Sequence, residues 1–442
     1  MGLLLLASNA AAAPRVVVRV VPVFPPKLYA PRGAVGSMVP ASGSTVSRAT
    51  ALASLTRGKL ENALLGGKPK GKPLISLGGP PAPVTIYVAL PPAGKHHNLD
   101  RYPIAIVGGG YHGLLLSSST HVPGLVSIAD VAPTVRSLER GEKPILTSRR
   151  ARDAPTQLEQ MNARLNAAHF ARKLSTRVLI GLVFGFAALA WLLRSPFFGR
   201  AALLAIPAMV LASTIASALH VEHGVAWWSG VIALALTLPL AFATRTILAL
   251  ALALAGLLVA YAVFLGASPA TVSLAALGPH PEGGGRFFGL TNQVETLLLA
   301  PTLALLGLRG RVTVARVALA AVAVIGVGLV LVGIDALTGG SSHVTHAVGG
   351  GPDRVLSDLG HRLRLSWRGI VNKTDHLEIA VVSLVALVVL AVLRPRSRTL
   401  DALLVALVVS LVVNDSGFDI LRFGALVAIA VFTWSRTMRL RD

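Results

Sequence analysis

From Val178 to the C-terminus, long apolar runs alternate with polar breaks, most of them short. The runs are Val178 to Leu193, Ala201 to Leu219, Val225 to Ala243, Ile247 to Leu265, Leu290 to Leu308, Val317 to Ile334, Ile379 to Leu393, Ala402 to Val413 and Phe423 to Trp434. Most reach or approach the roughly 17 to 25 residues that a helix needs to cross about 30 Å of hydrocarbon. Lipid offers backbone groups no hydrogen-bond partners, so such runs are helices or strands of a closed barrel. Stretches such as Ile232-Ala-Leu-Ala-Leu alternate only between Ala and larger apolar residues, without the polar lumen face of a barrel. The pattern predicts a mainly α protein, with a polytopic membrane domain of about nine spans over residues 176–435 and a tail over 436–442.

The pattern differs before residue 176. Residues 1–14, Met-Gly-Leu-Leu-Leu-Leu-Ala-Ser-Asn-Ala-Ala-Ala-Ala-Pro, have the short apolar core and small residues of a secretory signal. Val16 to Val23, Thr85 to Leu90 and Ile104 to Val107 read as strands bounded by Pro and Gly, and Thr50 to Leu65 and Ala132 to Leu138 as helices. Gly66 to Pro83, dense in Gly, Pro and Lys, reads as loop. Residues 15–150 are therefore expected to form a small α/β domain. In the linker over 151–175, Leu158, Met161, Leu165 and Ala168 share one face of a juxtamembrane helix over Pro155 to Leu174.

Charge orients this arrangement. The loops after the odd-numbered runs carry Arg194, Arg200, Arg245, Arg309, Arg311, Arg316, Arg394, Arg396, Arg398, Arg436, Arg439 and Arg441. The positive-inside bias places that side in the cytoplasm, with the C-terminus, and places the α/β domain on the outer side of the membrane. A formal net charge of +22 would suggest nucleic acid in a soluble protein. Here about half of the basic residues set topology, and no nucleic-acid partner is expected. The other 21 basic residues precede Ser175, against seven acids, and make the outer domain attractive to anionic lipid head groups or acidic envelope polymers. The chain contains no cysteine, so no disulfide holds that domain.

Two outer stretches carry a family resemblance. Ser44-Thr-Val-Ser-Arg48, followed by a helical run to Gly58-Lys59, resembles the nucleophile segment of the alkaline phosphatase and sulfatase superfamily. Val122 to Thr134, with Asp130-Val-Ala-Pro-Thr134, is similar to the Asp-x-x-Pro-Thr element that opens a late helix there. The resemblance implies a shortened phosphatase-like fold, Ser44 at the nucleophile position and Arg48 as its supporting cation. Members activate the nucleophile with metal held by clustered Asp and His. The first strand here ends in Phe-Pro-Pro without aspartate, and the middle of the fold is reduced to the Gly/Pro/Lys loop. The implied domain is degenerate and non-catalytic, with neither metal nor cofactor. A formal dinucleotide fingerprint, Gly108-Gly-Gly-Tyr-His-Gly113 with Asp130 beyond, has no helix after it and reads as a tight turn.

Ionisable groups in hydrocarbon cost several kcal/mol, so polar residues in or beside spans are informative. Arg286, Asn292 and Glu295 lie where a glycine-rich outer loop enters the fifth run, with Asn292 and Glu295 on one helical face. Asn414, Asp415, Ser416, Asp419 and Arg422 form the hinge between the two short last runs, an arrangement that marks substrate sites in transporters. These eight residues are the expected binding site. His220-Val-Glu-His223 and His343-Val-Thr-His346 have a spacing that suits a shared ion, but they lie on separate loops, and no metal site is expected. Arg286 to Asn292, the long loop Gly339 to Arg368 and Val413 to Gly417 together resemble a group of bacterial multi-pass proteins with a phosphatase-like outer domain. That resemblance implies a location and no reaction. The expected function is to bind or translocate a lipid-linked or anionic glycan intermediate in the envelope. The alternatives are a membrane-bound phosphatase, phosphotransferase or sulfatase-like enzyme using Ser44, and a scaffold recruiting envelope partners.

Overall fold

The computed structural model describes residues 15–41, 45–58, 60, 72–279, 292–308 and 423–439. These form two compact units, one ending at Glu159 and the other running from Gln160. The signal-like segment, the runs Val317 to Ile334, Ile379 to Leu393 and Ala402 to Val413, and most of the expected binding site lie outside the described residues.

The first unit is built on a mixed sheet in the order β1-β4-β6-β2-β7-β9, with β8 alongside β2. The strands are β1 (Val16–Val21), β2 (Gly33–Val39), β4 (Val84–Ala89), β6 (Tyr102–Gly108), β7 (Gly113–Ser117), β8 (Leu125–Ser127) and β9 (Leu146–Arg149). β1 runs parallel to β4, and β2 parallel to β7 and β8. β6 is antiparallel to both β2 and β4, which makes those two parallel to each other. Five strands therefore point one way, and the sheet has a distinct carboxyl end and amino end. The three expected strands are present within two residues of their bounds. β2 and β7 were not anticipated. Every residue of β2 is buried, and a strand covered on both faces shows no polar alternation.

Of the stretch expected as helix from Thr50 to Leu65, the described part is helical as α1 (Arg48–Arg57), which starts two residues earlier and ends at Gly58. Ser47 and Thr50 form a reciprocal capping box, and Gly58, at φ +62°, closes the last turn through its N–H to Ser54. A Cβ on Gly58 would lie 2.7 Å from Cδ of Pro133 in α2 (Val131–Glu139). β3 (Thr45–Ser47) and β5 (Lys95–His97) pair antiparallel beside this helix.

The juxtamembrane helix and the first run form one continuous helix, α3 (Ala154–Leu192). Then follow α4 (Pro196–Ala218), α5 (Val225–Ala243), α6 (Ile247–Ala267), the short α7 (Pro269–Ser273), α8 (Asn292–Leu308) and, after an interval, α9 (Ala425–Arg439). α3, α4, α5 and α6 are long and apolar enough to cross a membrane. α4 is the centre of the second unit: 89% of its most apolar stretch is buried, against 22% for α6. Gly199 permits this packing, since a Cβ there would lie 2.6 Å from Thr437 Oγ1 and 2.9 Å from Trp434 Cα on α9. The exposed residues of α5 and α6 are chiefly Val, Leu, Phe and Trp, as on helices that face lipid.

Candidate functional site

The carboxyl end of the sheet gathers the described parts of the two outer stretches singled out in the sequence, Thr45 to Gly58 and Val122 to Thr134. Ser44 lies outside the described residues, and its neighbour Thr45 opens β3 directly opposite His97 of β5. The Arg48 guanidinium donates a 3.3 Å hydrogen bond to the Pro91 carbonyl, just beyond β4. Ser47 is engaged in the cap of α1.

Asp130 is fully buried at the same end. Its Oδ2 accepts hydrogen bonds from the hydroxyls of Ser117 (2.7 Å) and Ser119 (2.6 Å) and from the Ser127 N–H (3.0 Å). Thr134 donates to the Asp130 carbonyl at 2.7 Å and accepts from the Leu146 N–H of β9 at 3.0 Å. Asp130, Pro133 and Thr134 thus join β7, β8, α1, α2 and β9, and Oδ2 of the carboxylate is held by neighbouring serines. His121, part-buried at φ +54°, follows this serine cluster, and burial holds its pKa below the ordinary value.

The amino end is different. Here Ala30 and Pro31 before β2, His112 before β7, and Arg150, Arg152 and Pro155 after β9 line a cleft of about 630 Å³. Sequence reasoning missed it because its walls come from three distant segments, and only the run Arg149-Arg-Ala-Arg152 signals it. The backbone builds the cleft. Gly113, at φ +78°, lies so close to the returning chain that a Cβ would be 2.6 Å from the Ala151 nitrogen. The Tyr111 hydroxyl donates to the Leu146 carbonyl at 2.7 Å, and burial pushes its pKa up to about 12. The His112 N–H donates to Ser148 Oγ at 3.2 Å.

Arg149, Arg150 and Arg152 are exposed, and their side chains make no hydrogen bond or ion pair among the described residues. The adjacent acid, Asp153, faces the helix: its Oδ1 accepts from the Thr156 N–H at 3.2 Å, and hydrogen bonding from the Thr156 side chain, then from its backbone, lowers the Asp153 pKa. One carboxylate therefore caps α3 beside three unpaired guanidinium groups.

In the second unit, Asn292 and Glu295 fall on α8. Arg286, Asn414, Asp415, Ser416, Asp419 and Arg422 lie outside the described residues. The polar contacts described within the bundle tie helices together. Arg164 donates to the Ser217 carbonyl at 2.8 Å, Ser217 Oγ to the Thr271 carbonyl at 2.8 Å, Arg172 to the Ala276 carbonyl at 3.2 Å and Arg200 to the Ala241 carbonyl at 3.0 Å. Among the described residues there is no group of three or more His, Cys, Asp or Glu placed to hold a metal ion.

No protein-family model matches this chain, and no curated protein or solved structure matches it either.

Proposed function

We propose that this chain is an integral protein of a bacterial inner membrane that binds or translocates a lipid-linked or anionic glycan intermediate, with a non-catalytic α/β domain on the outer side. The observation that carries this reading is the joining, in one chain, of four membrane-length apolar helices to an α/β unit whose free charge is cationic. The orientation rests on the ends of the bundle. The turns between α3 and α4 and between α5 and α6 hold Arg194 and Arg245, while the turn between α4 and α5 holds His220, Glu222 and His223. The degenerate phosphatase-like reading is supported by Asp130, whose Oδ2 accepts two serine hydroxyls, and by a first strand followed by proline with no aspartate at its end. Arg286, Asn292, Glu295, Asn414, Asp415, Ser416, Asp419 and Arg422 remain the proposed intramembrane site.

Mass spectrometry of lipids co-purified with wild type and Glu295→Ala tests this. A specific lipid-linked species lost in the variant is the expected result; bulk phospholipid alone in both would overturn it. A Ser44 hydrolase draws support from one feature, the imidazole of His97 across the β-ladder from Thr45, next to Ser44. It requires that Ser44→Ala abolish function, whereas the binding reading requires that this variant be tolerated.

A further inference from the structure

We infer that the basic cleft at the amino end of the sheet is a binding site for a phosphate-bearing head group, of the diphosphate class. The inference rests on the proposed function and gives it a second, extracytoplasmic contact point.

The first argument is electrostatic. Arg150 and Arg152 line the cleft together with His112, and Arg149 adjoins it. Three guanidinium groups within four residues repel one another, and a fold gains nothing by gathering them without counter-charge. No ion pair within the described residues offsets them, and Asp153, the one acid in the sequence segment, is committed to the Thr156 N–H. A ligand with several acceptor oxygens supplies what is missing. The planar fork of Arg suits a phosphate group, which accepts two parallel N–H bonds from it.

The second argument is shape. At about 630 Å³ the cleft holds a diphosphate with one attached sugar or a comparable head group. Its walls are held from behind by the Gly113 close approach, by the Tyr111 hydrogen bond to Leu146 and by the cap of α3, so the cations sit on a fixed frame.

The third argument is position. β2 has seven residues, about 23 Å at roughly 3.3 Å per residue. The cleft lies before its first residue, while Ser44 and Arg48 follow its last. The cleft is thus separate from the phosphatase-like motifs.

Isothermal titration of the full-length, detergent-solubilised protein with sodium pyrophosphate tests the inference on wild type, Arg150→Ala/Arg152→Ala and Arg140→Ala. Arg140, an exposed residue paired with Glu142 at 3.0 Å, is the control for general charge. Saturable binding in wild type is expected, weakened on the order of tenfold or more in the double variant and unchanged in the control. Equal weakening in all variants, or no binding to wild type, would overturn the inference. Flotation with phosphatidylcholine vesicles, with and without phosphatidylglycerol, separates the sources. Continued vesicle binding by the double variant assigns the cleft to the diphosphate rather than to bilayer surface charge. Loss of vesicle binding together with pyrophosphate binding that survives in the double variant refutes it. Both altered side chains are exposed, and an unchanged melting curve confirms that the variant is folded. If the double variant binds pyrophosphate like wild type yet still retains the co-purified lipid, only the cleft assignment fails. If pyrophosphate binds as expected and no lipid-linked species co-purifies with wild type, the cleft stands and the membrane reading falls.

Discussion

The two ends of one sheet divide the work of the α/β unit. At the carboxyl end, polar side chains are buried: the Ser117 and Ser119 hydroxyls and the Ser127 N–H converge on Oδ2 of Asp130, and Thr134 bridges to β9. At the amino end, the Arg149, Arg150 and Arg152 side chains are exposed and make no hydrogen bond or ion pair among the described residues. In parallel-rich α/β sheets, ligands ordinarily gather at the carboxyl end. Here that end carries motifs that resemble a hydrolase, while the unmet charge lies at the opposite end. A motif reports ancestry or local folding need as readily as chemistry. Partners left unmade are the better guide to a ligand.

The largest expected effect separates the two ends by stability. Asp130→Ala strands two hydroxyls and one backbone N–H in the core and is expected to cost about 3 kcal/mol. The α/β unit should then melt roughly 10 °C lower by differential scanning calorimetry. Pyrophosphate affinity below that transition should be unchanged; a large fall in affinity without a fall in melting temperature would show that Asp130 belongs to a binding site. Gly113→Ala acts on the amino end. It forces a Cβ into the Ala151 backbone at a φ that suits glycine, at a cost of about 2 kcal/mol. Stability and pyrophosphate affinity should fall together, because the displaced chain carries Arg150 and Arg152. Preserved affinity would mean that the cleft is not held by this contact.

A smaller effect concerns pH. The folded-state pKa of His121 lies below its ordinary value of 6.5, so the unfolded chain takes up the proton more readily than the folded one. Its contribution to stability is complete above about pH 6.5 and is lost as pH falls through that value toward the folded one. His121→Asn, which tolerates the left-handed φ of +54°, should flatten the pH dependence of melting below pH 6.5. An unchanged slope would assign that dependence to other groups.

What the sequence revealed followed the range of the forces involved. α5 was predicted with the bounds it has, Val225–Ala243, because a lipid-facing helix writes its length in consecutive apolar residues. α1 was legible as a helix but not in its bounds: the expected run from Thr50 to Leu65 starts at Arg48, after the Ser47 cap, and stops at Gly58. β2 was not, because Gly-Ala-Val-Gly-Ser-Met-Val is buried on both faces and its two glycines read as turn. The helix expected over Pro155 to Leu174 leads into the first apolar run, and the two are one helix, α3, because its apolar face carries on past the charged first half. Asp130 was singled out by a motif, but its role became evident only when Ser117 and Ser119 folded onto it. The cleft was invisible for a similar reason, as Pro31, His112 and Arg150 meet only across β2, β7 and β9.

The most direct test of this division of labour is a hydrogen–deuterium exchange footprint of the full-length protein with and without saturating pyrophosphate. Slower exchange is expected in the peptides covering 30–33, 112–114 and 149–155, with 45–48 and 95–98 unchanged. Protection centred on 45–48 and 95–98, with the amino-end peptides unaffected, would contradict it and return the phosphatase-like end to the role of ligand site.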